Sequence, residues 1–508
     1  MQAPVPDVGD DPRTLTAAAR AAYLRGDLAA ARMLADQVLA RAPGHAPALN
    51  LLGNLHLADG LLDDAERCYR AALAADANLR CARFNLGLVC LERGDRAGAI
   101  RELEQALEET SDAEDWLLLG NLLHGEGRAD AALAHWTRAT IRNPALVEAW
   151  FNLGSVQRAL GRRQDARAAL ERAQQLQPGA AAIRLELGLL DHAQGRYAAA
   201  LEQFRHAVAA DPANVDARVN LAETLRIVGS SADAATLLAE VVSDHPDAGN
   251  AHKALGLIAL SEARPADAAV HFRTARESLP EDPEIAHLLA AAEGRTADAA
   301  PADYVRSLFD GFAVRFDEEL TRNLGYRTPG ELAAALRECL PEPPPPLRVA
   351  DLGCGTGLAG VALGTMCASL VGVDLSPRML DEARARNLYS ELVCQDLVAF
   401  LNQGAEARFD ALVAADVFIY VGRLDAVFAA GRRALAHGGH FAFSLELAAE
   451  GGDAQAILRP SGRFAHRPDA VRALAETTGF ATLAWRETIL RHDRDEPVRG
   501  LIAVLAAR

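Results

Sequence analysis

The chain of 508 residues contains one lysine, Lys253. A Schiff-base lysine or the phosphate-gripping lysine of a P-loop would have to be that residue, and it stands in neither context, so both chemistries are excluded. There is no G-x-S-x-G elbow and no H-E-x-x-H pair, which removes two further hydrolytic classes. Seven cysteines occur, but none forms C-x-x-C or shares ligand spacing with a histidine. No metal site is expected, and the cysteines read as buried thiols of a reducing compartment. No run of about 18 apolar residues exists, and M-Q-A-P-V-P-D-V-G-D carries no apolar signal region. The expected location is the cytoplasm, with no membrane partner. A net charge of -17 argues against a nucleic-acid partner, which needs a basic surface. Between 347 and 508, 19 acids stand against 17 arginines, so the excess acidity belongs to the N-terminal part.

What is present is self-similarity. Asn-Leu-Gly recurs at 85–87 and 152–154, with related tripeptides ending at Gly53, Gly120 and Gly188. A second glycine follows at Gly60, Gly94, Gly127, Gly161, Gly195 and Gly229, offset by 34 residues and once by 33. In the same frame a small residue falls at Ala31, Ala65, Ala99, Ala132, Ala166, Ala200, Ala234 and Ala268. A proline falls at Pro43, Pro144, Pro178, Pro212, Pro246 and Pro280. Small residues let two helices approach closely, and the late proline ends the second. This pattern resembles the tetratricopeptide repeat, in eight copies over 12–283 after a tail at 1–11. The resemblance implies an all-α superhelix whose groove takes an extended peptide of a protein partner. The groove asparagines it implies are Asn85, Asn152 and Asn220; other repeats put Leu51, Leu118, Glu186 and Ala254 there.

From 284 to 302 the pattern decays, which predicts a helical cap and linker. A helical segment follows, and P-E-P-P-P-P at 341–346 forms a stiff link; together they occupy 303–346. From 347 to 508, apolar runs alternate with helical stretches, the pattern of a parallel doubly wound sheet. The last two runs are joined only by R-H-D-R-D-E-P, too short for a crossover, so they must form an antiparallel hairpin.

The loop V-A-D-L-G-C-G-T-G at 349–357 admits two ligands, a nicotinamide dinucleotide or S-adenosylmethionine. The hairpin favours the second. So does Asp351-x-Gly353-x-Gly355-x-Gly357, since the dinucleotide fingerprint places its third glycine two residues further on. Asp374 lies 23 residues after Asp351 at the end of the second run, the position of a ribose-binding acid. Asp396 follows the third, where a methyltransferase acid takes the adenine amino group.

The region therefore resembles an α/β, Rossmann-like class I methyltransferase that uses S-adenosylmethionine. The resemblance implies cofactor contacts at Asp351, Gly353, Gly355, Gly357, Asp374, Leu375, Met379, Asp396 and Leu397. F-D-G-F-A-V-R-F-D, with Phe309-Asp310, Ala313 and Phe316-Asp317, resembles the lid of the small-molecule branch that includes quinone and malonyl-carrier-protein methyltransferases. Phe316 is its cofactor-facing aromatic; the branch often has tyrosine there, and its hydroxyl is lost here. With Leu-Gly-Tyr326, A-A-D-V-F-I-Y-V-G and S-G-R-F-A-H-R, nearly the whole chain resembles bacterial methyltransferases fused to tetratricopeptide repeats.

Bases for an acceptor must lie over the carboxyl ends of the strands. That excludes His437 and His440 and leaves His466, Tyr420 and Glu446 as catalytic candidates. The expected function is methyl transfer to a small-molecule or carrier-bound acceptor, with the repeats recruiting a protein. Two alternatives stay open: a protein methyltransferase whose substrate lies in the repeat groove, and a non-catalytic scaffold.

Overall fold

In the computed structural model the described residues are 11–109, 111–295, 297–313, 316–318, 326–448, 454–493 and 496–508. The tail up to residue 10, and Leu324 and Gly325 of the Leu-Gly-Tyr326 motif, lie outside them. The chain divides into two compact units, Met1–Leu190 and Asp191–Arg508.

The first unit is built from helix pairs, beginning with Pro12–Leu24 and Leu28–Arg41 and reaching Val147–Ala159 and Arg163–Leu176. The glycine between the helices of a pair takes a left-handed backbone, with φ of 75° at Gly127. Only glycine adopts that turn without steric cost. Across each pair the repeated small residue is sealed: Ala31, Ala65, Ala99, Ala132 and Ala166 are all 0% exposed. Pro144 and Pro178 lie two residues past the ends of their helices at Arg142 and Leu176, where a missing N–H costs nothing. Tyr69 and Trp136 are buried, and each donates to an asparagine of the preceding helix, Asn54 at 2.8 Å and Asn121 at 2.9 Å.

The second unit opens with further pairs, Val215–Ile227 with Ser231–Asp244 and Gly249–Ser261 with Pro265–Ser278. Lys253 is ion-paired to Asp282 and Glu284 at 2.8 and 2.6 Å, a structural role for the sole lysine. A further helix, Pro283–Ala292, is capped by Asp282. Beyond it the backbone does not run free. Ala299 forms an isolated bridge with Val421, Ala300 donates to the Tyr420 carbonyl at 2.9 Å, and Arg423 donates to the Asp298 carbonyl at 2.8 Å. The stretch expected as a linker satisfies its backbone against a loop of the α/β domain.

That domain contains β1 (Leu347–Leu352), β2 (Cys367–Asp374), β3 (Glu391–Cys394), β4 (Phe409–Ala414), β5 (Leu435–Glu446), β6 (Ala456–Leu458), β7 (Phe464–His466), β8 (Phe480–Asp493) and β9 (Glu496–Ala507). Seven of them form one sheet in the order β3-β2-β1-β4-β5-β9-β8, and β6 pairs with β7 separately. Strands β1 to β5 run parallel, while β9 is antiparallel to both β5 and β8. The terminal hairpin is present as the short connection requires. Alternate residues of each central strand feed opposite cores. Leu412, Phe441 and Phe443 pack with Phe428 and Phe480 on one face; Val349, Val413 and Val504 pack with Leu336 and Leu370 on the other. Each such side chain contributes roughly 1.5–3 kcal/mol on burial.

Among the described residues no helix is long and apolar enough to cross a membrane, and no cluster of three or more metal-ligating side chains occurs. The cysteines depart from expectation: Cys354 is buried, but Cys81 and Cys394 are exposed and the other four are partly so.

Candidate active site

The parallel strands end along one edge, and the residues after them form the site. After β1 the chain turns at Gly353, with φ of 63°. A side chain there would collide with Val417, whose Cγ2 lies 2.6 Å from where a Cβ would stand. The glycine loop and the segment after β4 are therefore in direct contact. Gly355 donates its N–H to Asp374 Oδ2 at 2.9 Å, and Ser376 donates to Oδ1 at 2.8 Å. Asp374 thus clamps the loop while lining the pocket. Burial pushes its pKa up against the hydrogen bonds from Ser376, Gly355 and Leu375.

Asp396 N-caps the helix Leu397–Asn402, its Oδ1 accepting from Val398 and Ala399 at 2.9 Å each. Asp351 is 1% exposed. Its Oδ2 accepts from the Tyr389 hydroxyl at 2.7 Å, while Oδ1 has no partner among the described residues. Burial pushes Asp351 up to about 7.

A cavity of about 290 Å3 opens over this edge, close to the lower end of the range of roughly 300–1,000 Å3 for small-molecule sites. Gly353, Gly355, Asp374 and Leu375 line it, as do Asp396, Leu397 and Phe316. Three residues expected at the cofactor stand behind the wall instead. Gly357 N-caps the helix Leu358–Leu363, Met379 is 0% exposed, and Asp351 lies beneath the loop.

The segment before the α/β domain closes one side. Phe309, on the helix Ala302–Phe312, meets Phe316 and Tyr420 edge-on, with ring centroids 6.0 and 5.4 Å away. The acids beside these phenylalanines fasten the segment down. Asp310 accepts from Ser376 Oγ at 2.6 Å, and Asp317 accepts from Thr356 of the glycine loop and pairs with Arg386. The repeated Phe-Asp of the sequence is thus an aromatic wall with its own two anchors.

The remaining wall carries a charged group that sequence reasoning missed. Asp416 follows β4 in a left-handed backbone, φ 55°, a conformation Asp tolerates better than most residues. Its Oδ1 accepts from Ser444 Oγ and its Oδ2 from Arg491 Nη1, both at 2.9 Å. Arg491, 4% exposed, also pairs with Glu446, and Arg459 reaches the other Glu446 oxygen at 3.1 Å. Asp416, Arg491, Arg463 and Tyr326 line the cavity. Asp416 sits at the same strand-end position as the acids that were singled out. Arg491 arrives from the hairpin 75 residues later without any local signal.

Of the three catalytic candidates, Tyr420 lines the cavity and the other two do not. Glu446 is 2% exposed and held between Arg491 and Arg459. His466 is 0% exposed on β7. Its Nε2 donates to the Val421 carbonyl at 2.9 Å, Nδ1 has no partner among the described residues, and burial brings its pKa down to about 4. Its position on the correct edge did not place it at the cavity, because β7 turns the ring into the domain.

The asparagines expected in the repeat groove bond to their own chain. Asn85 donates to Asn50 and Asn54 at 3.1 and 2.8 Å. Asn152 donates to Asn121 at 2.9 Å, and Asn220 to the Asp216 carbonyl at 2.8 Å.

Comparison with known proteins bears on both parts. A family model described as a methyltransferase domain matches residues 349–439. Models described as tetratricopeptide repeats match 16–80, 51–115, 117–181 and 154–215, and 191–258. The human methyltransferase-like protein 27 is 35% identical over 106 residues, 21% of this chain and 43% of that protein. The magnesium-protoporphyrin O-methyltransferase of Rhodobacter capsulatus is 39% identical over 93 residues, 18% of this chain and 40% of that one. The BioHC biotin biosynthesis bifunctional protein of Saccharophagus degradans is 35% identical over 120 residues, 22% of this chain and 20% of that one. The chain thus spans less than half the length of these relatives. Among solved structures, the Synechocystis magnesium protoporphyrin IX methyltransferase with bound SAH aligns at TM-score 0.32 and 18% identity, over 41% of this chain and 99% of that one. YrrB, a repeat protein with an unusual peptide-binding site, aligns at TM-score 0.34 and 22% identity, over 36% and 95%. The chain thus carries tetratricopeptide repeats within residues 16–258 and a methyltransferase domain at 349–439.

Proposed function

We propose that the α/β domain binds S-adenosylmethionine over the ends of β1, β2 and β3 and passes its methyl group to a small-molecule or carrier-bound acceptor, while the repeats recruit a protein partner. The observation that carries this reading is the succession along one sheet edge: the glycine loop after β1, Asp374 ending β2 and Asp396 after β3, all lining one cavity. Asp374 receives the ribose hydroxyls on the lone pairs that Gly355 and Ser376 leave open. Asp396 uses Oδ2, since Oδ1 serves its helix, to take the adenine amino group. Leu375, Leu397 and Phe316 supply apolar contact. Asp351 is buried outside the cavity lining and supports the loop from beneath. Gly357 and Met379 shape the loop from behind.

When bound, the cofactor supplies an electrophilic methyl on a sulfonium. The chain's own task is alignment and exclusion of water, and positioning alone supplies on the order of 7–11 kcal/mol in favourable cases. Phe309, Phe316 and Tyr420 form the wall that does this. A small acceptor is supported by the mainly apolar cavity, and by relatives named for biotin biosynthesis and magnesium-protoporphyrin methylation. The repeat architecture supports a protein partner.

The test is to incubate the full chain with methyl-labelled S-adenosylmethionine and cell extract separated into small-molecule and protein fractions. Label transferred into the small-molecule fraction supports the reading. Label in the protein fraction alone favours the groove-bound protein substrate, and label in neither overturns the enzymatic reading.

A further inference from the structure

We propose that Asp416 is the carboxylate that receives the methyl acceptor, and that the acceptor is a largely apolar small molecule presenting a hydroxyl or an amine. The inference rests on the cofactor reading above and assigns the opposite end of the same cavity.

The sheet order fixes the placement. Along the edge the ligand-facing groups run from Asp396 after β3, through Asp374 and the glycine loop, to Asp416 after β4. Val417 touches Gly353, so Asp416 borders the end of the loop furthest from the two acids proposed for adenine and ribose. A group attacking the transferred carbon has to enter beside it. Around that entrance Val305, Leu308, Phe309, Ile419 and Val421 provide apolar lining, which suits an acceptor with an apolar body.

Asp416 can take a proton there. Ser444 and Arg491 each occupy one lone pair of a different carboxylate oxygen, and an ionised carboxylate offers about four. Burial leaves it more basic than an ordinary carboxylate despite Arg491. Arg491 is shared between Asp416 and Glu446, and of these two carboxylates only Asp416 lines the cavity. Its open lone pairs suit an acceptor that donates, a hydroxyl or an amine. In the step, the acceptor's electron pair forms the new bond to carbon and the sulfur–carbon pair stays on sulfur. The acceptor's proton passes to Asp416 and then to solvent.

The experiment needs no knowledge of the acceptor. Sinefungin carries an amino group where the sulfonium methyl would be, and S-adenosylhomocysteine carries nothing there. Calorimetric titrations of both ligands into the full chain and into Asp416→Asn separate the terms. In the unsubstituted protein, sinefungin is expected to bind at least fivefold more tightly, through a charge-assisted hydrogen bond. Asp416→Asn is expected to weaken sinefungin at least tenfold and leave S-adenosylhomocysteine within about threefold. Equal shifts for both ligands, or no shift, would overturn the assignment. If the variant binds neither, the preference of the unsubstituted protein decides, and sinefungin binding no more tightly than S-adenosylhomocysteine overturns it. Failure of the unsubstituted protein to bind either ligand would strike the cofactor reading instead.

Discussion

The Tyr389 hydroxyl donates to Asp351 Oδ2 at 2.7 Å, and the other carboxylate oxygen, equally buried, has no hydrogen-bond partner among the described residues. The arrangement favours a protonated Asp351, and burial accordingly pushes it up to about 7 from 3.8. The folded chain then keeps a proton between about pH 4 and 7 that the unfolded chain releases. Stability from this group therefore falls as pH rises across that window, by at most about 1.4 kcal/mol per unit, and is flat outside it. Asp351→Asn should remove that component. Melting curves from pH 5 to 8 should decline less steeply for the variant, and parallel curves would contradict the assignment.

Asp374→Ala removes the carboxylate from the cavity and releases the Gly355 N–H. Cofactor binding should weaken by roughly 1.5–3 kcal/mol, about ten- to a hundredfold, the usual cost of losing charge-assisted hydrogen bonds. Titration calorimetry reads this directly. Near-unchanged affinity would remove Asp374 from the ribose site.

His466→Ala should act on stability rather than on chemistry. The ring is buried, bonded to the Val421 carbonyl and held neutral above about pH 4. Its loss leaves a buried carbonyl without that donor, at about 1–3 kcal/mol. Urea unfolding checks the magnitude. A stable variant whose methyl transfer loses its pH dependence would restore His466 as a base.

Much of the fold is legible in the sequence because its causes are local. A left-handed glycine, a sealed alanine and a helix-ending proline each act within one repeat. The terminal hairpin follows from a connection too short for a helix. Gly353, Gly355, Asp374 and Asp396 are legible as residues of one sheet edge for the same reason, each lying within a few residues of its own strand end, whereas Gly357 caps a helix outside the cavity. The remainder depends on contacts between distant segments. Nothing near Asp416 announces that Arg491 and Ser444 will meet it, and nothing near Asp351 announces Tyr389. His466 shows the opposite error: the right edge of the sheet does not fix which way a side chain points.

The segment before the α/β domain gives another example. His287 of the helix Pro283–Ala292 donates from Nε2 to the Gly462 carbonyl at 2.8 Å, and its ring packs beside Tyr304 at 5.1 Å. Gly462 precedes Arg463, which lines the cavity. His287→Ala should destabilise the Asp191–Arg508 unit by about 2–3 kcal/mol through lost packing and an unpaired carbonyl. Denaturant unfolding tests it, and an unchanged midpoint would show that this contact contributes nothing.

The central claim is that the glycine loop with Asp374 and Asp396 holds S-adenosylmethionine. Calorimetric titration of the intact protein with S-adenosylmethionine, and in parallel with NAD, tests it most directly. The account predicts micromolar binding of the first and none of the second; binding of NAD, or of neither, would contradict it.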